Sequence, residues 1–222
     1  MIMKLLLKYY QKMGRILFMQ GFILHTQKIK DEDLIVYILS HKRLIRAYRF
    51  YGLRHSSILN GYKIDFALDE SLNFLPRLKD VLHLGFLWIM QREKMIVWQE
   101  FIRLLYFHLK DVEILDSFYF ELLDECIKRF EKQNPKRVIV DAYLKILEFE
   151  GRLHRDFICF ACDEKILNNL SLVRAFLPAH KHCALGYEFS EKKLRKFYES
   201  KNCSIFSDDE IFNLYDLIRE GL

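Results

Sequence analysis

The chain has 222 residues, of which 51% are hydrophobic, 29% are charged and only 8 are Gly and 3 are Pro; this composition excludes a largely disordered chain and favours long helices over an all-β protein. No uncharged stretch exceeds the twelve residues from Ile16 to Gln27, and a membrane-spanning helix needs about 20 apolar residues, so an integral membrane protein is excluded. The net charge of +5 is uneven, because residues 1–84 carry 14 Lys/Arg against 7 Asp/Glu, which indicates either an anionic partner for this half or a solvated basic face.

Residues 1–18 have basic side chains at every third or fourth position, which predicts an amphipathic helix for a membrane surface or a partner. Alternatively, translation starts at Met19 and the segment is an artefact. The segment contains no uncharged core of the length that a signal peptide needs. Together with the odd number of cysteines, five, this predicts a reducing, cytoplasmic location.

Residues 20–85 are predicted to form a small barrel of the oligonucleotide-binding (OB) type, because five short strands fit into about 65 residues. Asn60-Gly61 marks a hairpin turn or a bulge, and Pro76 requires an edge or bulge position. The predicted strands are 20–27, 34–40, 41–52, 58–70 and 72–85.

Two of these strands have opposite burial patterns. The apolar run 34–40 predicts a strand that is buried on both faces. In 41–52 the pattern alternates, with Ile45 and Ala47 on one side and Arg46 and Tyr48 on the other.

After residue 85 the hydrophobic period becomes 3.6, which predicts helices. Asn134-Pro135 is an N-cap followed by a first-turn proline, and Ser207 with Glu210 forms a capping box. Residues 152–188 are less regular. The predicted helices are 86–109, about 111–132, 135–150, one from Ser190 and one from 208.

The sequence therefore predicts an α+β protein: a terminal extension at 1–18, an OB-fold barrel at 19–84 that binds DNA, and an all-α domain at 85–222 with a zinc-binding insert at 159–183.

A metal site is indicated by Cys159-x2-Cys162 and, seventeen residues later, His180-x2-Cys183. Each x2 spacing lets two ligands on one turn reach a single tetrahedral ion, as in structural zinc sites. His182 competes with His180 as the fourth ligand. The alternative is that the CFAC segment packs in a helical core with the histidines on the surface.

A nucleic-acid surface is indicated by cations and aromatics interleaved in the strand region. Lys and Arg neutralise phosphates, and aromatic faces stack on bases. For any one aromatic, a place in the barrel core is the commoner outcome. The candidate DNA-binding residues are Lys28, Lys30, Lys42, Arg43, Arg46, Arg49 and Arg54, and the aromatics are Tyr37, Tyr48, Phe50, Tyr51 and Tyr62.

Enzyme chemistry has weak support. A nuclease could place Mg²⁺ on Asp31 and Asp33, but a charged hairpin turn is a commoner use of such residues. The P-loop, GxSxG and HExxH motifs do not occur in the sequence. We therefore expect a protein that is not an enzyme.

Residues 20–57 resemble the start of the bacterial recombination mediator family RecO. The resemblance lies in a Gly-x-x-Leu-x-Thr opening, an acidic loop, an Ile-Val-x-x-Leu-Ser strand and later Ile-x-Ala and Gly-x-Arg pairs. A helical back half with a CxxC and a later ligand pair is also similar, although His180 stands where the family usually has a Cys. The matching residues are Gly21, Leu24, Thr26, Asp31, Asp33, Ile35, Val36, Leu39, Ser40, Ile45, Ala47, Gly52, Arg54 and Ser57.

The resemblance implies a bacterial cytoplasmic, nucleoid-associated protein of the RecF recombination pathway. Such proteins bind single- and double-stranded DNA, anneal complementary strands, contact the acidic tail of single-strand-binding protein, and pair with RecR to help load RecA. The alternative is a protein-interaction adaptor whose helical domain carries the function without direct DNA binding.

Overall fold

The computed structural model describes residues 19–69, 74–112 and 114–222, so the 1–18 segment with its two interpretations lies outside the described residues. Contacts divide the chain into two compact units. The first holds the residues up to Phe86 together with Leu109–Phe120, and the second holds Leu87–His108 and Glu121–Leu222. Among the described residues, none of the helices is long and apolar enough to cross a membrane.

The first unit is built on a closed five-stranded barrel, which confirms the predicted OB-like architecture. The strand order around the barrel is β1-β2-β3-β5-β4, and β4 pairs back to β1. All pairs are antiparallel except β3 with β5, which is parallel. The strands are β1 (Met19–Lys28), β2 (Leu34–Leu39), β3 (Leu44–Arg49), β4 (Lys63–Asp69) and β5 (Arg77–His83).

Strand β2 corrects one expectation. Leu34, Val36 and Ile38 are buried in the barrel, whereas Ile35 and Tyr37 between them are only half-buried. The prediction that this strand is buried on both faces was therefore wrong at Ile35 and Tyr37 and holds on that face only at Leu39, because a small barrel has only one interior and alternate side chains point outward. Strand β3 has the predicted alternation, with Ile45 and Ala47 inside.

Two tight points shape the barrel wall. A Cβ on Gly21 would lie 2.4 Å from Ile38 Cγ2 and 3.0 Å from the Leu39 carbonyl oxygen, so only glycine lets β1 approach β2 here. Gly61, at φ +89°, forms a turn before β4, where its N–H donates to the Ile23 carbonyl at 2.7 Å. Pro76 directly precedes β5, so its missing N–H removes no bond from within that strand.

The segment Leu109–Phe120 is counted with the barrel. The N–H of Leu115 donates to the Lys42 carbonyl at 3.0 Å, and the Phe120 ring stacks on His41 with centroids 3.7 Å apart.

Five helices are described in the rest of the chain. Helix α1 begins at Arg92 rather than at 86, because residues 87–90 form turns after Gly85, whose φ is +69°. The Asn134 carboxamide oxygen accepts from the Lys136 N–H at 2.9 Å, and both halves of the Ser207–Glu210 capping box form. The helices are α1 (Arg92–Leu109), α2 (Phe118–Phe130), α3 (Pro135–Phe149), α4 (Glu191–Ser200) and α5 (Asp208–Arg219).

The irregular segment of the sequence contains a three-stranded antiparallel sheet that was not predicted. Its order is β7-β6-β8, with β6 at Asn169–Val173, β7 at Leu177–Ala179 and β8 at Tyr187–Ser190. The strands have only 5, 3 and 4 residues, and Ala175 and Phe176 have positive φ between the first two. Strands this short are too brief for a clear alternating pattern.

Candidate functional site

The first candidate site is a metal centre in the second unit, and its first half is a turn at the tip of a small hairpin. Ile158 and Lys165 form an isolated bridge, and the Cys159 N–H donates to the Glu164 carbonyl at 2.8 Å. The Asp163 N–H closes the turn onto the Cys159 carbonyl at 2.9 Å, with Asp163 at φ +58°. This turn presents Cys159 and Cys162 together.

The second half follows β7 directly. The Cys183 N–H donates to the His180 carbonyl at 2.9 Å, which forms another tight turn. A backbone bond from the Phe160 N–H to the Pro178 carbonyl, at 3.0 Å, joins the two turns. The unpredicted sheet therefore brings the HxxC pair to the CxxC pair across seventeen intervening residues.

The four predicted ligands converge: one donor atom from each of Cys159, Cys162, His180 and Cys183 lies within 4.8 Å of all the others. The sulfurs of Cys162 and Cys183 lie 3.4 and 4.0 Å from His180 Nδ1. Tetrahedral zinc, with bonds of about 2.3 Å to sulfur and 2.0 Å to nitrogen, would separate such atoms by about 3.6 Å. The geometry therefore suits a tetrahedral ion.

The choice between the two histidines is decided by position. His182 is exposed, and its ring stacks on that of His180 with centroids 5.1 Å apart. His180 belongs to the cluster and His182 does not. The His182 ring is thus a neighbour of the proposed ligand rather than a competitor for its place.

The thiols differ in acidity. Burial opposes ionisation of Cys159, but N–H groups of His180, Ala161 and Cys162 and the Cys162 thiol lower its pKa to about 6. Burial and the sulfurs of Cys162 and Cys159 raise the pKa of Cys183 to about 11. A divalent cation would stabilise both as thiolates, since coordination deprotonates a thiol. The other two cysteines, Cys126 and Cys203, are buried away from this cluster.

The second candidate site is the outer surface of the barrel, where the predicted DNA-binding cations form two end groups and one central residue. Leu34 pairs with Arg49, so the β1–β2 loop lies beside the end of β3, and the β2–β3 turn lies at the opposite end. Six-residue strands separate these ends by roughly 20 Å. Lys28, Lys30 and Arg54 are at the loop end, Lys42 and Arg43 at the turn end, and Arg46 between them.

Arg46 and Arg49 have different environments. Arg46 is exposed, and its guanidinium lies 5.8 Å from the ring centroid of Tyr37, its cross-strand partner. Arg49 is half-buried, donates from Nη1 to the Leu78 carbonyl at 2.8 Å and lies 3.3 Å from His55 Nε2. Arg46 is available to a phosphate, whereas Arg49 is already used within the barrel.

The loop carboxylates act within the fold. Asp33 accepts hydrogen bonds from the Tyr48 hydroxyl and from the Tyr51 N–H, the latter at 2.8 Å. The Tyr48 and Tyr51 bonds, together with Lys30, hold the pKa of Asp33 below its usual value. Glu32 forms an ion pair with Arg54. Asp33 therefore anchors the β1–β2 loop to β3. This is a structural role, and it differs from the Mg²⁺ ligation that a nuclease would require of Asp33.

Most of the five candidate aromatic residues lie on the outside of the barrel, although a place in the barrel core is the commoner outcome for a single aromatic. Tyr37 and Tyr48 are half-buried on the outer side, Phe50 and Tyr51 are exposed, and only Tyr62 packs against the barrel core. Sequence reasoning missed two neighbours, Phe74 and Arg77, which line a pocket with Tyr48 and Phe50. The local signal for Phe74 is the apolar pair Phe74-Leu75 just before Pro76.

Comparison with protein families gives a match over the barrel. Residues 19–89 match the family model described as RecO N terminal. No curated protein matches the chain. The matched range covers all five strands of the closed barrel, whose order is β1-β2-β3-β5-β4. Residues 19–89 are therefore similar to the RecO N-terminal domain.

Proposed function

We propose that this protein is a non-enzymatic, DNA-binding recombination mediator of the RecO type. The observation that carries the proposal is the coincidence of the RecO N-terminal match with a barrel that has exposed cations along one wall. OB barrels bind oligonucleotides on the face of strands 2 and 3 and with the loops between strands 1 and 2 and between strands 4 and 5. In this chain Arg46 lies on β3 and Lys30 in the β1–β2 loop, and Lys42 and Arg43 lie in the turn that joins β2 to β3.

The proposed path of the DNA backbone runs from the β1–β2 loop, across Arg46, to the β2–β3 turn. Phosphate contacts at these three places would hold single- and double-stranded DNA without reading sequence. Arg54 contributes less, because Glu32 already offsets its charge. Arg49 supports β3 rather than touching DNA.

The proposed role of the Cys159, Cys162, His180 and Cys183 cluster is to hold a structural zinc ion. Four protein ligands leave no open position for a substrate, as in structural zinc sites. The ion would join the hairpin tip to the turn after β7. It would thereby stabilise the small sheet, whose strands have at most 5 residues.

By family resemblance, the proposed activities are annealing of complementary strands and help in loading RecA. The proposed partners are RecR and the acidic tail of single-strand-binding protein, and the proposed location is the nucleoid of a bacterial cytoplasm. These steps need no chemistry from the protein beyond binding and release of DNA.

The test is fluorescence anisotropy with labelled single-stranded DNA and labelled duplex, each at two salt concentrations. Electrostatic binding to phosphates must weaken as salt rises, with a slope that counts the neutralised phosphates. Absence of binding at low salt, with the protein folded by circular dichroism, would overturn the proposal.

The adaptor alternative is favoured by one observation in the second unit. A groove of about 640 Å³ lies at the first turns of α1, α3 and α5, with Ile96 and Phe212 about half exposed in it. Glu93, Asp208 and Asp209 line the same groove, as does Lys136, whose ammonium lies 4.7 Å from the Phe212 ring centroid. The excess of carboxylates suits an apolar or basic peptide better than an acidic tail. If the groove carries the function, Phe212→Ala should abolish partner binding while DNA affinity stays unchanged.

A further inference from the structure

A pocket of about 290 Å³ opens on the barrel between the end of β3 and the start of β5. Its walls are Tyr48, Phe50, Phe74, Leu75 and Arg77. Phe74 is 81% exposed and Phe50 is 46% exposed, so two aromatic faces are left open to solvent on a small domain. Large exposed aromatic faces grouped in this way mark a binding site more often than a packing defect.

The floor of the pocket is held rigidly. The Tyr48 hydroxyl donates to Asp33, and the Tyr48 N–H donates to the Pro76 carbonyl at 2.8 Å, so the side chain and the backbone are both fixed. Phe50 meets the Tyr48 ring edge-to-face, with centroids 4.7 Å apart at 65°. A platform that is ordered before binding loses little entropy when a planar ligand stacks on it.

The rim of the pocket is basic. The guanidinium of Arg77 lies 5.2 Å from the centroid of the Phe50 ring. Its cross-strand neighbour Asp69 forms an ion pair with Lys79 at 2.7 Å, so that carboxylate is already offset. A ligand that stacks on the rings would therefore find a cation beside it, an arrangement that favours a planar ring attached to an anion.

We propose that this pocket receives one unpaired nucleobase of single-stranded DNA, with Arg77 beside the adjoining phosphate. The inference rests on the proposed DNA-binding function and adds to it a preference for single strands. Bases of a duplex are stacked and paired, so they cannot enter without the cost of being flipped out. An acidic peptide with an apolar side chain would also meet Arg77 and the rings, so a protein partner is the competing occupant that the test below separates.

The test compares the wild type with Phe74→Ala and Phe50→Ala. Phe74 is 81% exposed and Phe50 is about half exposed, so their removal should leave the fold intact, which circular dichroism and thermal melting would verify. The matched control is Phe107→Ala, since Phe107 is a 57% exposed aromatic on α1 in the other unit. The probes are labelled oligothymidylate, an abasic strand of equal length and a blunt duplex.

We expect Phe74→Ala to weaken oligothymidylate binding about 5- to 150-fold, the range for loss of one stacked base. Its affinity for the abasic strand and the duplex, and its salt slope, should match those of the wild type. The control should resemble the wild type on every probe.

Two results would overturn the inference while leaving DNA binding in place. One is unchanged oligothymidylate affinity in both pocket variants, which would mean that the pocket serves another ligand, such as a protein partner. The other is an equal loss on all three probes, which would mean that the aromatics act through the backbone path. If the wild type binds none of the probes, the proposed function and this inference fail together.

Discussion

Neutralising Arg46 on β3 should weaken DNA binding without affecting the fold. The side chain is exposed and projects from the same face as Tyr48, and its guanidinium lies 5.8 Å from the centroid of the Tyr37 ring. Arg46→Gln keeps the length and polarity of the side chain and removes its charge. Because the contact would be to phosphate, the loss should be equal for all DNA sequences.

The magnitude follows from counterion release. On single strands one phosphate contact adds about 0.7 to the slope of log affinity against log salt. Between 50 and 200 mM salt, losing that contact changes the ratio of the two affinities by about 2.6-fold. Anisotropy titrations with labelled oligothymidylate at four salt concentrations would resolve a change of that size.

Two further variants separate charge from position. Lys79→Gln removes the same charge from the same barrel, but Lys79 is already paired with Asp69 at 2.7 Å, so the salt slope should not change. Arg49→Gln breaks the 2.8 Å bond to the Leu78 carbonyl and should lower stability by about 1 kcal/mol with an unchanged slope. If Arg46→Gln keeps the wild-type slope, or Lys79→Gln loses as much, the β3 wall is not the DNA surface.

Three other predictions concern the cluster and the fold. Purified protein should hold about one zinc ion per chain. The exposed position of Cys162 makes Cys162→Ser a suitable variant, which should lose the ion and melt at a lower temperature than the wild type. A wild type that contains no metal and is as stable as Cys162→Ser would refute this. Hydrogen bonds from Tyr48 and Tyr51 depress the pKa of Asp33. The stability that Asp33 contributes is therefore complete above its unfolded pKa of about 3.9 and is lost as the pH falls through its folded pKa. Between pH 7 and pH 3, the urea midpoint should decline less in Asp33→Asn than in the wild type. Asp141 is 2% exposed and accepts hydrogen bonds from Arg129 and from the Cys203 N–H, the latter at 2.8 Å. Asp141→Ala should therefore lower the free energy of unfolding in urea by about 3 kcal/mol. A loss below about 1 kcal/mol would argue against a buried ion pair.

Local patterns in the sequence were sufficient for several parts of the structure. The alternation in β3 and the caps at Asn134 and Ser207 depend on side chains within a few residues of each other, so they were confirmed as predicted. The barrel could be predicted because five short strands of this spacing have few ways to close. The CxxC and HxxC spacings named the ligand candidates because each pair occupies a single turn.

Only the tertiary structure decided how distant segments meet. The ring that joins the cluster, His180 rather than His182, is set by the turn after β7, and strands as short as 3 residues leave little periodic signal. Arg46 and Arg49 are the same residue type on the same strand, but of the two it is Arg49 that donates a hydrogen bond to the Leu78 carbonyl of β5. The aromatic pocket likewise exists because the parallel pairing of Tyr48 with Arg77 brings Phe74 to Phe50. Such contacts depend on the register of strands that are remote in sequence, which no local pattern encodes.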